Sequence, residues 1–330
     1  MSGSPGPTSG ASLPSQLSPN ISLKAFSSDR RAIELPWGRQ LLQFGAPFSS
    51  NLEFPFSPPK SAFDKTHLEQ ASIIFDASPN GGKYEEHTTT STISSSDHLS
   101  VGFGLSIGGS LLGAGVSGDY NKAVLDNNDS NKTSQTASIR LGHLRFAEEP
   151  PLSDDAERLL SEQAIGGFTS VYGDYYVGGF SIGADSGICM SFAKHEHSES
   201  EAWEITVTVK FLFMSASHTW SDSTASSLRD VELTVLGYDS LAGKNINASS
   251  QGGKGLEQLR DTAVELVARN TSLAMDVESK VQQLGFRGNK NPLSRADLAN
   301  AEGSQILSGI LLLPYTGLRQ VASHLPPKWP

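Results

Sequence analysis

The stretch between Asp97 and Asp119 constrains the fold of this chain most, because it contains no Asp, Glu, Lys or Arg. Its length would suit a transmembrane helix. Seven glycines fall inside it, however, and since each costs about 1 kcal/mol in a helix, a helical membrane span is disfavoured. Apolar residues instead alternate with small or polar ones, the pattern of a strand with one apolar face. That face consists of Val101, Phe103, Leu105, Ile107 and Leu111.

This pattern is one arm of a predicted long hairpin. It continues upstream into a Thr- and Ser-rich run over residues 87–96. Residues 126–131 concentrate Asp, Asn and Ser, which is a strong turn signal. A second strand-like run then returns over residues 133–146. The arms of such a hairpin are much longer than the usual strand of about 5–6 residues.

A second pair of strands is predicted over residues 202–235. Its first strand, within residues 202–220, places apolar residues on one face. These residues are Ile205, Val207, Val209, Phe211 and Phe213. The return strand contains Val231, Leu233 and Val235. The middle of the chain therefore predicts four long strands in two hairpins.

Helical patterns lie between and after these hairpins. Residues 151–164 predict one helix, with Ser153 as its N-cap and acidic residues in its first turn. Apolar residues at helical spacing predict one or two amphipathic helices over residues 254–284. The short apolar run over residues 306–313 suits a buried strand or the end of a helix.

The two ends of the chain differ in composition from its middle. Residues 1–20 are rich in Ser, Pro and Gly and predict a disordered tail. Residues 246–330 predict a mainly helical segment that packs on the same domain. The first residues lack the basic and apolar regions of a signal peptide. Cytoplasmic synthesis is therefore expected, with release by a signal-independent route, or association with a membrane, left open.

Composition and charge exclude several classes of function. The 330 residues carry 25 Lys and Arg against 35 Asp and Glu, a net charge of −10. Binding of nucleic acid requires a basic patch that displaces counterions from phosphates, so no nucleic-acid partner is predicted. The single cysteine, Cys189, excludes an internal disulfide and a cysteine-rich metal site. Charged residues make up only 18%, and the abundant Gly, Ser and Thr favour strands and turns over a helical bundle.

A five-residue motif follows the predicted helix at residues 151–164. It consists of Tyr172, Gly173, Asp174, Tyr175 and Tyr176. Together with the order of the elements over residues 87–240, this motif resembles the membrane-attack-complex/perforin (MACPF) superfamily, and most closely its fungal MACPF-like members. The family signature is roughly Tyr-Gly-Thr-His-Tyr/Phe. The first, second and fifth positions match it, whereas Asp and Tyr replace Thr and His.

Glycines after the motif correspond to the hinge that the resemblance implies. Gly178, Gly179, Gly183 and Gly187 form a glycine-rich stretch that leads into the second strand pair. The family also has a glycine pair at the bend of its last core strand, and here Gly237 supplies one member of that pair. Gly178, Gly179 and Gly237 are therefore the candidate hinge glycines. From the residues alone, the same glycines are equally consistent with an ordinary bulge or bend.

The resemblance implies both a fold and a function. The fold is α+β, a bent, twisted four-stranded antiparallel sheet with long strands flanked by helices, expected over residues 21–245. In the family, the segments between strands one and two and between strands three and four refold into amphipathic hairpins. Many subunits close these hairpins into a barrel pore. The implied protein is therefore membrane-interacting and self-assembling, with a lipid membrane and further copies of itself as partners, in defence or toxicity.

The physics of a bilayer is compatible with this expectation. A closed barrel pairs every backbone group, as the membrane interior requires. An inserted strand needs about 9–11 residues with one apolar face, and residues 101–111 and 205–214 each meet that requirement.

Departures from the family pattern leave an alternative open. The family segments are usually long and partly helical before insertion, whereas residues 97–146 and 195–229 predict direct hairpins without helices. No separate C-terminal membrane-recognition domain is evident. The alternative is a soluble, non-lytic binding or scaffold protein, in which residues 101–111 form an ordinary half-buried strand. Whether a partner protein is required also stays open.

No catalytic, cofactor-binding or metal-binding residue is predicted, and the protein is expected to be non-enzymatic. Residues 113–118 match the dinucleotide fingerprint by letters, but no βαβ unit follows them. His195 and His197 lie beside glutamates, but the missing closed ligand set favours a solvated polar turn over a metal site. At the start of a hairpin these two histidines are also a hypothetical pH-sensitive switch.

Overall fold

Ten strands in the described part of the chain form a single sheet. The computed structural model describes residues 32–36, 43–50, 60–77, 82–89, 98, 116–129, 131–192, 199–213, 228, 231–250, 255–286 and 291–325. The strands are β1 (Ile33–Pro36), β2 (Pro47–Phe48), β3 (Ile73–Ala77), β4 (Gly82–Thr89), β5 (Asn131–Phe146), β6 (Tyr175–Phe192), β7 (Leu233–Asp239), β8 (Lys244–Ser249), β9 (Pro292–Leu293) and β10 (Leu307–Pro314).

Seven described α-helices accompany the sheet. They are α1 (Lys65–Gln70), α2 (Val116–Asp126), α3 (Asp154–Tyr172), α4 (Glu199–Phe213), α5 (Leu256–Gln283), α6 (Arg295–Gly303) and α7 (Arg319–Ala322). The predicted fold class, an α+β arrangement with a large antiparallel sheet of long strands flanked by helices, is confirmed.

Four adjacent antiparallel strands, in the order β4–β5–β6–β7, form the centre of the sheet. The two middle strands are the longest, with 16 residues in β5 and 18 in β6. At about 3.3 Å per residue, each spans roughly 50–60 Å. Every residue of β6 is buried, which explains its small and apolar composition, since both faces of the strand are covered.

Both middle strands change neighbours at the same level. β6 pairs with β10 over residues 175–182 and with β7 over residues 186–192. β5 pairs with β3 over residues 142–146 and with β4 over residues 132–139. The register between β5 and β6 shifts just after Arg140. The sheet therefore has a lower half, with β1, β3 and β10, an upper half, with β4, β7 and β8, and a break between the halves.

Each half of the sheet has its own apolar core. The lower core is aromatic and includes Phe48, Phe63, Phe168, Tyr176 and Tyr315. The upper core is mainly aliphatic and joins β6 and β7 to α4 and α5. Helix α5, with 28 residues, is about 40 Å long. Its first half packs in the upper core and its second half in the lower core, so this one helix spans the break.

The C-terminal region is partly as predicted. Helix α5 confirms the predicted helical spacing, and the following predicted residues are buried on it: Leu256, Leu259, Ala263, Leu266, Val267, Leu273, Val277 and Val281. Residues 246–330 also contribute strands to the sheet. The apolar run over residues 306–313 forms most of β10, which pairs with β1 on one side and β6 on the other. A strand from the C-terminal region thus completes the lower half.

The predicted strand over residues 202–220 is wrong for residues 202–213, which lie in helix α4. Ile, Thr and Val alternate there and satisfy a strand pattern. The same sequence places Ile205 and Val209 one helical turn apart, and both are buried in the upper core. This packing outweighs the modest helix penalty of β-branched residues. Val207 lies on the opposite side of the helix and is 47% exposed.

The return strand of the first predicted hairpin is confirmed. The prediction that a direct turn without a helix joins its two arms is wrong. β5 contains residues 133–146 and pairs with β4, which begins at Gly82, earlier than predicted. Residues 116–126 form α2 just before the turn that leads into β5. Both segments that were expected to lack helices therefore contain one.

Candidate functional site

The signature motif begins where α3 ends. The helix starts as predicted at Ser153, whose Oγ accepts a hydrogen bond from the backbone N of Ala156 at 3.3 Å, and it continues to Tyr172. Gly173 terminates it with φ +81°. A Cβ atom at this position would lie 2.2 Å from the carbonyl oxygen of Phe48. Both the backbone conformation and this close approach therefore require glycine here.

Asp174 joins three segments of the chain. Its carboxylate accepts hydrogen bonds from the backbone N of Ser50, at 2.7 Å, and from Ser50 Oγ. Its backbone N donates to the oxygen of Phe48, and its own carbonyl accepts from the backbone N of Tyr315 at 3.1 Å. Asp174 thus holds β2 and the turn after β10 against the start of β6.

The two tyrosines of the motif belong to the lower core. Tyr175 packs edge-on against Phe48. The ring of Tyr176 lies 4.9 Å from that of Phe63 and 5.0 Å from that of Tyr315. Burial, with Asp174 next to it, raises the pKa of Tyr175 to about 12. In this structure the signature motif is therefore a buried junction of α3, β2, β6 and the segment after β10.

Replacing Gly173 with Ala is expected to destabilise this junction strongly. The left-handed backbone alone costs about 1–3 kcal/mol for a residue with a side chain, and the contact with Phe48 adds to that cost. Urea unfolding measures the loss. Gly166, inside α3, is the matched control: a Cβ there meets nothing within 4 Å, so Gly166→Ala should stabilise by about 0.5–1 kcal/mol. Equal effects of the two substitutions would contradict this role for Gly173.

The break between the two halves of the sheet is held by a partly buried charge cluster. The guanidinium of Arg140 on β5 donates two hydrogen bonds to the carboxylate of Asp185 on β6, at 2.9 and 3.0 Å. Its Nε lies 3.2 Å from Glu34 on β1. Burial alone would lower the pKa of Arg140, but the two carboxylates outweigh it and raise this pKa above its ordinary value. Close beside the cluster, a Cβ at Gly183 would lie 1.9 Å from the oxygen of Ile139, so only glycine lets β5 and β6 approach so closely.

The candidate hinge glycines lie on either side of this break. In the lower half, Gly178 faces the side chain of Leu313, and Gly179 faces the carbonyl of Leu144. In the upper half, Gly237 lies under Leu266 of α5. None of the three is at the break itself, which Gly183 occupies.

The two segments that connect the central strands leave the sheet at the same end. Residues 90–130 join β4 to β5, and residues 193–232 join β6 to β7. The last or first residues of all four strands are level there: Thr89 pairs with Lys132, and Phe192 pairs with both Asn131 and Leu233. Each connecting segment has about 40 residues, enough for two arms of roughly 50–60 Å if extended. We call residues 90–130 segment 1 and residues 193–232 segment 2.

The helix of segment 1 packs on a small apolar cluster that is surrounded by buried polar residues. Tyr120 and Val124 of α2 pack on Cys189, Leu236 and Tyr238 of the upper half. Around this small apolar cluster, the same face of β5 and β6 carries buried polar residues, namely Lys132, Ser134, Thr136, Ser138 and Ser191. At the exposed rim, Asn245 Nδ2 donates to Asp119 Oδ2 at 3.1 Å. The candidate inserting residues Val101, Phe103, Leu105, Ile107 and Leu111 lie outside the described residues.

The helix of segment 2 is seated on the opposite face of the sheet. Ile205 and Val209 of α4 are buried in the upper core with Met190 and Val235, and Lys210 forms an ion pair with Glu86 on β4. Of the candidate inserting residues, Val209 is thus buried and Val207 exposed. Phe211 and Phe213 lie in α4, and their side chains are outside the described part. His195 and His197 are outside it as well.

Polar contacts fix the middle of α5 to the upper half of the sheet, beside the break. Asn270 accepts a hydrogen bond from Ser186 Oγ on β6 and donates to the carbonyl of Gln135 on β5 at 3.2 Å. The neighbouring Arg269 donates to Asp239 on β7 at 2.8 Å. Close to these contacts, a Cβ at Gly237 would lie 2.3 Å from Leu266, so the missing side chain there lets α5 approach β7. Sequence patterns alone did not single out any of these polar residues.

A serine in β6 has the letters of a nucleophile motif around it. Residues 179–183 spell G-F-S-I-G, and Ser181 is a cross-strand neighbour of His143, which in turn pairs with Asp76. The motif of hydrolases requires an exposed serine on a strand-to-helix turn. Ser181 instead lies within a continuous strand and is fully buried, so it lacks the geometry of a nucleophile.

Neither a membrane-crossing helix nor a metal site is found among the described residues. Among the described helices, none combines the length and the apolar character that a membrane-crossing helix requires. Within the same residues, no group of three or more His, Cys, Asp or Glu side chains is arranged to hold a metal ion.

Comparisons with known proteins find similarity to solved structures only. No protein-family model and no curated protein matches the sequence. A candidate cell invasion protein with a MAC/perforin domain from Bacteroides thetaiotaomicron is 10% identical over 74% of this chain and 60% of its own, with a TM-score of 0.24. Pneumolysin is 10% identical over 72% of this chain and 56% of its own, with a TM-score of 0.29. GNIP1Aa from Chromobacterium piscinae is 12% identical over 78% of this chain and 58% of its own, with a TM-score of 0.25.

This chain thus spans 60% or less of the length of these structures. At such TM-scores the likeness carries no weight for function, which has to follow from the chain's own geometry. The predicted closeness to fungal members stays a prediction.

Proposed function

We propose that this protein acts on membranes by self-assembly and has no catalytic chemistry. Segments 1 and 2 refold into two β-hairpins, and the hairpins of several copies join to form a barrel pore. One observation carries the proposal: both segments leave the four-stranded centre at the same end, where all four strands are level. Extended hairpins would therefore simply prolong β4, β5, β6 and β7 in their existing order, without crossing one another.

The lengths and composition of the segments support this refolding. A bilayer strand needs about 9–11 residues, and each arm of a segment of about 40 residues exceeds that. Segment 1 contains the uncharged, alternating stretch between Asp97 and Asp119. Segment 2 contains alternating β-branched residues that are held as a helix by packing against the upper core. Its sequence therefore favours the strand that the proposal requires once this packing is lost.

The edges of the central sheet support self-assembly. Among the described residues, β4 pairs only with β5, and β8 pairs only with β7. Unpaired strand edges are templates for another chain, and a ring of copies joined edge to edge removes them. The acidic net charge gives no attraction to anionic lipid, so binding is expected not to depend on negatively charged headgroups.

Dye release from vesicles tests this proposal. Vesicles of phosphatidylcholine alone, with sterol, or with phosphatidylserine are mixed with the full chain at pH 7.5 and pH 5. We expect dye release with at least one composition, accompanied by ring-shaped oligomers in electron micrographs of the vesicles. Vesicle binding without release would support the non-lytic alternative. Neither binding nor release under any of these conditions would overturn the membrane role.

A further inference from the structure

A cluster of titratable groups lies beneath α2. His98 is buried, and its Nδ1 lies 2.7 Å from Ser134 Oγ on β5. Its ring faces that of His87 on β4, with 6.4 Å between ring centroids. Lys132 on β5 is 1% exposed, and its Nζ donates to the main-chain carbonyls of Asn127 and Asp129. Two imidazoles and one buried ammonium thus share a small region under the helix of segment 1.

This cluster is connected directly to α2. The hydroxyl of Tyr120 donates to the carbonyl of His98 at 2.8 Å. The ring of Tyr120 packs on that of Tyr238, with centroids 4.6 Å apart, and beside Cys189 on β6. Whatever displaces His98 therefore disturbs the main contact of α2 with the sheet, and Cys189 lies beneath that contact.

The charges around His98 disfavour its protonation. Burial, followed by Lys132 and then His87, lowers the pKa of His98 to about 4. The carboxylates of the cluster are engaged elsewhere: Glu85 on β4 lies 3.8 Å from His87 Nε2, and Asp129 accepts a hydrogen bond from Ser191 Oγ on β6 at 2.6 Å. From α2 and β6, the groups facing the site are the neutral side chains of Tyr120 and Cys189.

We propose that the seat of α2 is an acid-sensitive latch: neutral His98 holds α2 on the sheet, and protonation of His98 beside Lys132 and His87 releases it. The latch rests on the proposed function for its use, because it controls the helix that segment 1 has to give up. The release itself is a property of the chain without a membrane and can be measured as such.

The direction and size of the effect follow from linkage. A histidine whose pKa is lower in the docked state stabilises docking above its free pKa of about 6.5, and this stability is lost as the pH falls from 6.5 towards 4. Between pH 7.5 and pH 5, the open form of segment 1 should therefore gain about thirtyfold over the docked form.

The only cysteine of the chain reports this opening without any engineering. Cys189 is 1% exposed and lies under Tyr120 and Val124, so it reacts with a thiol reagent only when α2 leaves. The rate of reaction with 4,4′-dithiodipyridine, divided by the rate for the unfolded chain at the same pH, gives the open fraction. We expect this ratio to rise about thirtyfold from pH 7.5 to pH 5.

Variants separate the latch from general acid unfolding. His98→Gln, or His98→Asn if the first variant does not fold, should remove the pH dependence of Cys189 labelling, whereas His67→Gln on the exposed α1 should keep it. A second reporter, Val235→Cys in a Cys189→Ser background, lies in the upper core under α5 and should stay protected at both pH values.

Three results would overturn the latch: labelling of Cys189 that does not change with pH, a pH dependence that survives in the His98 variant, or equal loss of protection at position 235. Since no vesicles are present, each of these results is independent of whether the protein forms pores.

Discussion

Crosslinking α2 to β8 should abolish dye release from vesicles. Asp119 on α2 and Asn245 on β8 are both exposed, and their side chains meet in a hydrogen bond of 3.1 Å. Asp119→Cys and Asn245→Cys, in a Cys189→Ser background, therefore place two accessible thiols at the rim of the α2 seat. A short bis-methanethiosulfonate bridges them through two disulfides. Segment 1 then cannot extend into a hairpin, because its helix stays tied to the sheet.

Reduction makes this experiment its own control. Dithiothreitol removes the bridge, and release should return to the level of the uncrosslinked double variant. Asp64→Cys with His67→Cys in the same background carries an equivalent bridge at the start of α1, between its N-cap and its first turn, where the two side chains also meet. This variant should release dye normally. Fast release from the fully crosslinked α2–β8 variant would show that segment 1 does not have to leave its seat.

Segment 2 shows why sequence periodicity predicts a strand where the structure has a helix. Alternating Ile205, Val207 and Val209 satisfy a strand. A helix needs only the first and third of these residues, one turn apart. The core that buries them is built by β6, β7 and α5, which lie elsewhere in the chain. No local pattern contains those partners, so the choice between helix and strand is made by tertiary packing. In the proposed mechanism both conformations of this segment are used.

The signature motif was more accessible to prediction than the break in the sheet. Gly173 follows a predicted helix and precedes a strand, so a local pattern marks it. Arg140 and Asp185 lie 45 positions apart on two different strands, and no local sequence pattern links them. Their pairing depends on the register of β5 and β6, which sequence alone did not determine. The same holds for Asn270, whose partners lie on two different strands.

Replacing Asp185 with Ala should be among the most destabilising substitutions in the chain. The carboxylate is nearly buried and is held by both terminal nitrogens of Arg140. Its removal leaves the guanidinium of Arg140, which is only 22% exposed, opposite the 40% exposed Glu34. Breaking a fully buried ion pair from one side costs about 3–5 kcal/mol. Because Arg140 keeps some access to water, urea unfolding should show a loss of about 2–3 kcal/mol. Lys65→Ala, which breaks an exposed pair with Glu69 on α1, should change stability by less than roughly 0.5 kcal/mol.

The double variant Arg140→Met/Asp185→Leu tests why Asp185→Ala lowers the free energy of unfolding. The loss can come from a charge left without its partner or from lost packing. If the penalty arises from the unpaired guanidinium, removing both charges should recover a large part of the stability that Asp185→Ala loses, because no buried charge then lacks its partner. If the double variant is as unstable as the single one, the pair instead matters for the shape of the crossing between β5 and β6. The first outcome fits a break that both long strands share and at which the charges matter chiefly because each needs its partner.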